Sequence, residues 1–270
     1  MLISIVLELE SKRDGVLPGE LGRAGYAALL ARLSELDAPL AAQIHAGNGP
    51  KPLTCSGLLG SHREQGNHSL RNGQRVAMRV TGLTPMIVQA LREALLEQPP
   101  NGWELHEHPF RVVAAHCDGQ SHPWSGQAEY EALVARAMTD VGRLARQVTL
   151  EFASPTSFKL AEGMHMPLPL PGLVFGSLVE RWNAFSPVAL SPELRPFCQN
   201  GLAISSFRLS SGVINHKEGS LRIGGRGRVT YRLLSDDPYW RAALNILADF
   251  ALYSGVGIQT TMGMGQVRRV

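Results

Sequence analysis

A histidine lies in a stretch rich in glycine and proline, where the backbone can approach a bound molecule closely. Residues 43–52 read Gln-Ile-His-Ala-Gly-Asn-Gly-Pro-Lys-Pro, and we expect them to form a loop after a helix and before a strand. Imidazole titrates near neutrality, so His45 is a candidate general acid or base. Lys51 is suited to stabilising negative charge that develops on a phosphorus centre. The alternative is an ordinary surface histidine, and these residues alone leave both interpretations open.

A second candidate site is a glycine-rich segment near the C-terminus. Two Gly-x-Gly triplets, which begin and end with Gly255, Gly257, Gly263 and Gly265, flank five residues and follow a predicted helix. Glycine permits positive φ and close backbone approach, and successive N–H groups in such a loop can hold a phosphate. No helix follows the segment, which excludes a Rossmann fingerprint, and it lacks the Gly-Lys-Ser/Thr of a Walker A loop. The alternative is a flexible turn that lets the last strand dock.

Residues 208–232 are strongly basic and predict a surface for an anionic partner. On a regular strand, alternate side chains share a face. One face would therefore carry four arginines: Arg222, Arg226, Arg228 and Arg232. Lys217 lies in a predicted hairpin turn just before that strand. Two alternatives stay open, namely a charged edge strand that blocks aggregation and a bulge at Gly224-Gly225 that moves Arg222 out of line.

Hydrophobic periodicity predicts the elements that position these residues. The first half reads as a strand at 3–9, a helix at 20–36, strands at 53–59 and 76–80, a helix from 84 to 99, and a strand or hairpin at 103–115. Thr84 is expected to cap the second of these helices, with Pro85 as its first residue. A helix is also expected at 127–140. The order of the first half is therefore β-α-β-β-α-β.

The second half repeats this order. It reads as a strand at 148–152, a helix at 174–185, strands at 202–216 and 221–234, a helix at 238–252, and a strand at 264–270. The predicted fold class is therefore α+β, with two tandem ferredoxin-like domains. We expect the first domain at 1–117, a connector at 118–146 and the second domain at 147–270.

Composition limits the classes of protein that this chain can represent. Of its 270 residues, 44% are apolar and 18% are charged, which excludes a disordered, highly charged chain. No run approaches the ~18 apolar residues of a membrane-spanning helix, and the apolar start lacks the basic region of a signal peptide. Three cysteines without CxxC spacing, Cys55, Cys117 and Cys198, favour a reducing, cytoplasmic setting.

Charge is distributed unevenly along the chain. The overall formal charge is +3, but residues 1–145 carry 13 basic and 15 acidic side chains. Residues 146–270 carry 13 basic and only 8 acidic side chains. The second half is therefore the better candidate for an anionic partner.

Three stretches together resemble a known family, the CRISPR-associated endoribonucleases that process precursor crRNA within the RAMP superfamily. The first is the glycine-rich tail, residues 255–265, preceded by Phe-Ala-Leu-Tyr-Ser. The second is residues 151–158, Glu-Phe-Ala-Ser-Pro-Thr-Ser-Phe, which is similar to the family's entry into its second domain. The third is His45 followed by Lys-Pro-Leu-Thr-Cys-Ser at 51–56. The resemblance spans the whole chain.

The resemblance implies metal-independent cleavage of CRISPR repeat RNA without a cofactor. The 2′-hydroxyl beside the scissile phosphate would attack, which gives a 2′,3′-cyclic phosphate and a 5′-hydroxyl. His45 matches the family's catalytic histidine, Lys51 matches a lysine of some members, and Tyr26 is the candidate for a tyrosine that some members place on the first helix. The RNA-binding candidates would be Lys217, the four arginines of residues 222–232 and the four glycines of the tail.

Two other functions remain open at this stage. One is a non-catalytic RAMP subunit that only holds crRNA with other effector subunits, for which a general acid or base at His45 would be unnecessary. The other is a metal-dependent nuclease or phosphatase, which would need a carboxylate cluster, and none stands out near His45. A metal site on His106 and His108, which share a face of a predicted strand, is less favoured than scattered surface histidines. A homodimer also stays open.

Overall fold

The computed structural model describes residues 1–47, 49–60, 63–64, 66–139, 141–160, 163–215 and 221–270. The chain divides into two compact units. Unit 1 comprises Met1–Gln127 with Thr261–Gly263, and unit 2 comprises Ala128–Thr260 with Met264–Val270. The predicted division into 1–117, a connector and 147–270 stays a prediction.

Unit 1 is built on a main sheet of antiparallel strands. The strands of the unit are β1 (Leu2–Ser11), β2 (Gly15–Pro18), β3 (Leu53–Leu59), β4 (Arg63–Glu64), β5 (Asn67–Leu70), β6 (Arg75–Gly82), β7 (Gly102–Leu105), β8 (His108–His116) and β9 (Gly126–Ala128), whose last residue falls in unit 2. The main sheet has the order β3-β6-β1-β8-β7, and β9 also pairs with β1. The small sheet β2-β5-β4 was not predicted.

The helices of unit 1 are α1 (Gly22–Leu36), α2 (Ala38–Ala46) and α3 (Pro85–Arg92), which continues as a π-helical turn at Glu93–Glu97. Helix α2 was not predicted. It begins because the Asp37 carboxylate accepts a hydrogen bond from the Leu40 amide at 2.9 Å, with Pro39 in the first turn. Thr84 stands at the N-cap of α3, as expected, but its side chain makes no capping hydrogen bond.

Unit 2 contains the remaining elements. These are α4 (Tyr130–Thr139), β10 (Gln147–Thr156), β11 (Phe158–Lys159), β12 (His165–Met166), α5 (Pro171–Phe185), α6 (Leu194–Asn200), β13 (Leu202–Asn215), β14 (Leu221–Leu233), α7 (Pro238–Ser254) and β15 (Val267–Arg269), with short 3-10 turns at Val141–Arg143 and Thr260–Met262. The main sheet has the order β13-β14-β10-β15, and β11 pairs with β12. Short helix α6 was not predicted.

The core of unit 2 is aromatic. Trp182 on α5 makes edge-on contacts with Tyr130 and Phe250, with ring centroids 5.1 and 5.2 Å apart. Helix α7 begins where the Asp237 carboxylate accepts hydrogen bonds from the Tyr239 and Trp240 amides. These contacts fix α5 and α7 on one face of the sheet.

Both units share one strand order. In each, the first strand of the βαββαβ series lies between the third and the fourth, and the second is at the edge. This is the ferredoxin-like arrangement, so the predicted α+β class with tandem ferredoxin-like domains is confirmed. Among the described residues, no helix is long and apolar enough to cross a membrane.

Candidate functional site

His45 lies in the last turn of α2, and not in the glycine-rich loop where we expected it. The loop begins two residues later, because the helix continues until Ala46. Neighbouring Ile44 is buried in the core of unit 1, whereas His45 is exposed. Burial of Ile44 therefore anchors the turn and leaves the imidazole accessible to a bound molecule.

The Lys51 side chain caps the C-terminal end of the same helix. Its ammonium donates to the carbonyl of Ile44 at 2.7 Å, to that of His45 at 3.1 Å, and also to that of Gly47. The last carbonyls of a helix have no partner within it and carry partial negative charge, so a cation there is stabilising. An ammonium has three donors. All three are directed at the helix end that carries His45.

Tyr26 lies in the core of unit 1. On α1 it shares the buried stripe with Leu29 and Leu33, and only 8% of its surface is exposed. Burial, and secondarily the nearby Cys55 thiol, raise the pKa of the Tyr26 hydroxyl. The structure thus places the three predicted catalytic residues in one unit but presents only His45 fully at the surface.

The four predicted arginines of β14 share one face. Val229, Tyr231 and Leu233 point to the core and are buried, so residues of the other parity face away from it. The pairing of β13 with β14 is continuous from Ser206 to Asn215. No bulge at Gly224-Gly225 therefore interrupts that pairing, and Arg222 stays in line with Arg226, Arg228 and Arg232. Lys217 lies outside the described residues.

Three further charged residues lie on this face; Arg208 was counted in the basic segment without being assigned to the face, and the other two, Glu151 and Arg268, were missed by sequence reasoning. Arg208 on β13 is directly opposite Arg228, and Arg268 on β15 is opposite Glu151 on β10. Glu151 accepts hydrogen bonds from Arg228 at 3.0 Å and from Arg268 at 2.8 Å. Burial alone would raise the pKa of Glu151, but these two hydrogen bonds lower it overall. Only the strand register brings these residues together, since they are distant in sequence.

The glycine-rich tail adopts the left-handed backbone that its composition predicts. All four triplet glycines have positive φ, between 61° and 90°. At Gly257 a side chain would also collide with the Ser157 carbonyl, and at Gly265 with the Val256 carbonyl. Glycine is therefore required here for the path of the chain.

The amides of these glycines already have acceptors within the protein. Gly255 donates to the Ala251 carbonyl, Gly257 to the Ser177 hydroxyl, Gly263 to the Cys55 carbonyl and Gly265 to the Pro155 carbonyl, at 3.0–3.2 Å. A phosphate held by those four N–H groups would have to replace these bonds. The glycines thus shape the loop, and RNA contact through their amides stays a prediction.

Within unit 2, hydrogen bonds join the segment at 151–158 to residues at both ends of the glycine-rich tail. The Pro155 carbonyl accepts from Gly265, the Ser157 carbonyl accepts from Ile258 at 3.0 Å, and the Ser154 hydroxyl accepts from the Gln266 amide at 2.9 Å. This geometry explains why the two motifs occur together: one supplies the acceptors that hold the other.

The histidine pair at 106 and 108 does not share a strand face. His106 has a φ of 52° in the turn between β7 and β8, whereas His108 is buried and lies 2.7 Å from the Ser11 hydroxyl. Within the described ranges, no three histidine, cysteine, aspartate or glutamate side chains gather as a metal site would require.

Two ferredoxin-like units, a basic sheet face and a glycine-rich loop define an α+β protein of the tandem-domain class. The family model of the CRISPR-associated endoribonuclease Cas6 matches residues 150–267. The resemblance that the motifs indicated is thereby confirmed. The matched range includes the arginine strand and the glycine-rich tail but not His45.

Individual relatives show the same similarity. A CRISPR-associated endoribonuclease Cas6 from Mycobacterium tuberculosis is 31% identical over 125 residues, 46% of this chain and 38% of that protein. One from Streptococcus thermophilus is 28% identical over 123 residues, 43% of this chain and 48% of that protein. The matched segment thus spans less than half the length of each relative.

Solved structures match over the whole chain. A Thermus thermophilus Cas6 in a product complex is 27% identical, with a TM-score of 0.81, over 100% of this chain and 99% of its own. A second Cas6, in a substrate mimic complex, is 29% identical, with a TM-score of 0.75 and the same coverage. The second protein has also been solved as a histidine-to-alanine mutant.

Proposed function

We propose that this protein is an endoribonuclease that cuts CRISPR repeat RNA to produce crRNA. The observation that carries the proposal is the exposed His45, held at the capped end of α2. The similarity over the whole chain to Cas6 product and substrate mimic complexes supports a site that takes a substrate. The names of the curated relatives support RNA as that substrate.

The proposed reaction is a transesterification. The 2′-hydroxyl oxygen beside the scissile phosphate bonds to phosphorus and loses its proton, and the bond from phosphorus to the 5′-oxygen breaks. The leaving oxygen takes up a proton, so the products are a 2′,3′-cyclic phosphate and a 5′-hydroxyl. We assign one of these two proton transfers to His45, because an exposed imidazole can accept or donate a proton near neutrality.

We assign Lys51 to positioning. Its three donors are directed at the carbonyls that end α2, so direct stabilisation of the phosphorane would require it to leave them. Tyr26 is proposed to pack in the core of unit 1, since only 8% of the residue is exposed. These assignments leave His45 as the residue of unit 1 that meets the reacting group.

We propose that the arginine face of unit 2 holds the RNA backbone. It combines Arg222, Arg226, Arg228 and Arg232 of β14 with Arg208 and Arg268. Arginine donates in a planar fork that fits phosphate oxygens. Helical RNA is recognised largely through its phosphates and shape, so this face supplies affinity and leaves the chemistry to unit 1.

Cleavage of the protein's own repeat RNA with and without EDTA tests the proposed reaction. We expect EDTA to leave the rate unchanged and the products to carry the ends given above. A 2′-deoxy nucleotide at the cut should abolish cleavage and spare binding, since it removes only the attacking oxygen. Activity that disappears in EDTA and returns with magnesium would refute the metal-independent route.

A non-catalytic RNA-binding subunit is the second candidate function. It is favoured by the burial of Tyr26 and by the hydrogen bonds that engage the Lys51 ammonium, which leave His45 as the fully exposed member of the three predicted catalytic residues. The same assay separates the two, because a subunit of this kind would bind the repeat RNA tightly and leave it intact.

A further inference from the structure

Strand β13 has an open edge along the side of the unit 2 sheet. It runs for 14 residues, Leu202–Asn215, carries the single charge of Arg208, and pairs with β14 on one side. Within the part of the chain that the structure describes, residues 206–214 make no backbone hydrogen bond beyond that pairing. An edge of this length and low charge offers its free N–H and C=O groups to another strand.

The other edges of the two main sheets are protected against such pairing. Strand β3 is buried over most of its length. Strand β7 has only four residues and bears the exposed Glu104, and β15 has three residues, of which two are arginines. Short edges and charged side chains are common means by which proteins prevent strand pairing. Strand β13 is neither short nor highly charged, so its edge is the one that can accept a partner strand.

Two apolar side chains project from this open edge strand. Phe207 is 69% exposed and Val213 is 51% exposed. They lie opposite Val229 and Ile223 of β14, on the sheet face to which the buried side chains of β14 point. Arg208 lies on the other face, with the arginines of β14. The strand with free backbone groups therefore also carries exposed apolar surface, a combination that marks an interaction site.

The regular part of β13 fixes how a second copy of the strand would align with it. A bulge lies between Ile204 and Ser206, and beyond it the pairing with β14 is continuous to Asn215. Two identical strands that pair in antiparallel orientation are related by a twofold axis. An axis at Ser210 aligns all nine residues of 206–214 with the same nine residues of the second copy. An axis nearer to the bulge would align fewer of them.

This register makes the edge complementary to itself. Directly opposite residues of an antiparallel pair share a face. Phe207 therefore meets Val213 of the second copy, and the same contact occurs again on the other side of the axis. An aromatic and a β-branched side chain form a favourable cross-strand pair. Arg208 lies opposite Gly212, so like charges are not directly opposed. The edge thus supplies both members of each pair, which identifies the occupant as a second copy.

We propose that two copies of this protein associate through β13, with the twofold axis at Ser210. The two four-stranded sheets then continue into one sheet of eight antiparallel strands. Because the axis is perpendicular to the sheet, both arginine faces lie on the same side of it. The inference goes beyond the proposed function and does not depend on it, since the association is measured without RNA.

Light scattering after size-exclusion chromatography measures the association over a range of protein concentrations. We expect the wild-type mass to approach twice the 29.3 kDa of one chain as the concentration rises. Phe207→Ser and Val213→Ser each remove one member of both pairs, so the mass at equal concentration should fall towards that of one chain. Leu221→Ser is the matched control, because Leu221 is 68% exposed on the same hairpin but lies on the inner strand β14.

A wild-type mass of one chain at every concentration would overturn the proposal. So would a Phe207→Ser protein that associates as the wild type does. Both substitutions are at exposed positions, and thermal unfolding verifies that the variants are folded. A loss of mass in Leu221→Ser equal to that in Phe207→Ser would also count against the edge, since it would place the contact on the whole apolar face.

Cysteine cross-linking tests the register itself. Cys117→Ser removes the partly exposed native thiol, whereas Cys55 and Cys198 are buried. In that background, Ser210→Cys places two thiols directly opposite, with Cα atoms about 5 Å apart. Ser206→Cys, the control, places them eight residues apart, or about 27 Å. We expect a short bismaleimide to join two chains at 210 and not at 206.

Cross-linking at 206, or equal cross-linking at both positions, would refute the register. A protein of double mass that does not cross-link at 210 would show that the copies associate through another surface, which also overturns the proposal. Neither measurement uses RNA, so a protein that fails to cut repeat RNA would remove the proposed function and leave this result standing.

Discussion

The two units share a strand order but use the outer face of the sheet in opposite ways. In unit 1, Arg79 on β6 faces away from the core and is nonetheless fully buried. Its guanidinium lies 5.1 Å from the ring centroid of Trp124, whose carbonyl accepts a hydrogen bond from Ser4 at 2.6 Å. The segment before β9 thus covers part of this face and encloses its arginine.

In unit 2 the corresponding face keeps its arginines accessible. Arg208, Arg228 and Arg232 are exposed, and Arg222 and Arg226 are partly exposed. Glu151 is the carboxylate that lies among them, paired with Arg228 and Arg268. The same topology therefore gives a closed face in one unit and a basic surface in the other. What decides the difference is the segment that packs on the strands, and not the order of the strands.

The comparison also assigns different proposed roles to the two units, catalysis to unit 1 and RNA binding to unit 2. Unit 1 carries an exposed imidazole on a helix end, and unit 2 carries the concentration of positive charge. If the division is correct, variants of unit 1 change the rate of cleavage and variants of unit 2 change affinity.

The largest effect is expected at His45. Proton transfer by a positioned side chain contributes about 10²–10⁴ in rate, so His45→Ala should reduce single-turnover cleavage by that factor. Affinity should stay within a few-fold of wild type, because the charge that binds RNA lies in unit 2. Rate and equilibrium binding are measured on the same preparation. A wild-type rate would remove His45 from the mechanism, and a parallel loss of binding would make it an RNA contact.

The next effect concerns the arginine face. The combined change of Arg222, Arg226 and Arg228 to alanine should weaken binding and reduce its salt dependence. For each phosphate that an arginine no longer neutralises, the log–log slope should become shallower by ~0.7–0.9. The maximal cleavage rate at saturating protein should stay near wild type. Arg195→Ala on α6 removes an exposed arginine outside the sheet and serves as control. An unchanged slope in the triple variant would place the RNA elsewhere.

Lys51→Ala is expected to have a smaller effect on rate. A cation at a helix end contributes ~0.3–1 kcal/mol, so we expect a several-fold loss, exerted through the position of His45. To separate positioning of His45 from direct action of Lys51, His45→Ala is compared with the double variant that also carries Lys51→Ala. Imidazole is added to both to replace the missing histidine side chain. Equal rescued rates would agree with a positioning role, whereas a slower double variant would indicate that Lys51 acts on the phosphate itself.

A small effect of opposite sign is expected at Glu151. Glu151→Gln removes the negative charge that pairs with Arg228 and Arg268, so RNA affinity should rise about two- to fivefold, the range of an exposed ion pair. Filter binding at fixed salt measures the change. Weaker binding would mean that Glu151 orients the arginines for RNA.

The same variant changes the response of stability to pH. Because the pKa of Glu151 is lowered in the folded protein, its ionised form stabilises the fold above the unfolded value of ~4.3. That contribution is lost as the pH falls through the folded value. The difference in melting temperature between wild type and Glu151→Gln should therefore be present at neutral pH and shrink under acid conditions.

The smallest effect is expected at Tyr26. Tyr26→Phe keeps the packed ring and removes only the hydroxyl, so the cleavage rate should stay within about twofold of wild type. Single-turnover kinetics decide the point. A loss of tenfold or more would show that the hydroxyl reaches the substrate and would return Tyr26 to the catalytic set.

The sequence by itself determined the repeated βαββαβ order, because strand and helix periods differ and each half shows both in the same succession. It also determined that Arg222, Arg226, Arg228 and Arg232 share a face, since alternation along a strand is a local property. The four glycines of the tail were assigned correctly to positive φ for the same kind of reason. Helix α2 escaped detection because it is short and because alanine stands at both buried and exposed positions, so its sequence shows no apolar period.

The tertiary structure alone decided which of these residues are available for function. Three features depend on tertiary packing. Tyr26 is buried, Lys51 donates hydrogen bonds to the end of α2, and Arg79 is buried beneath Trp124. The same holds for the addition of Arg208, Arg268 and Glu151 to the basic face, which follows from strand register. Local sequence sets the direction in which a side chain points, but its exposure and its partners are set by whatever else packs there.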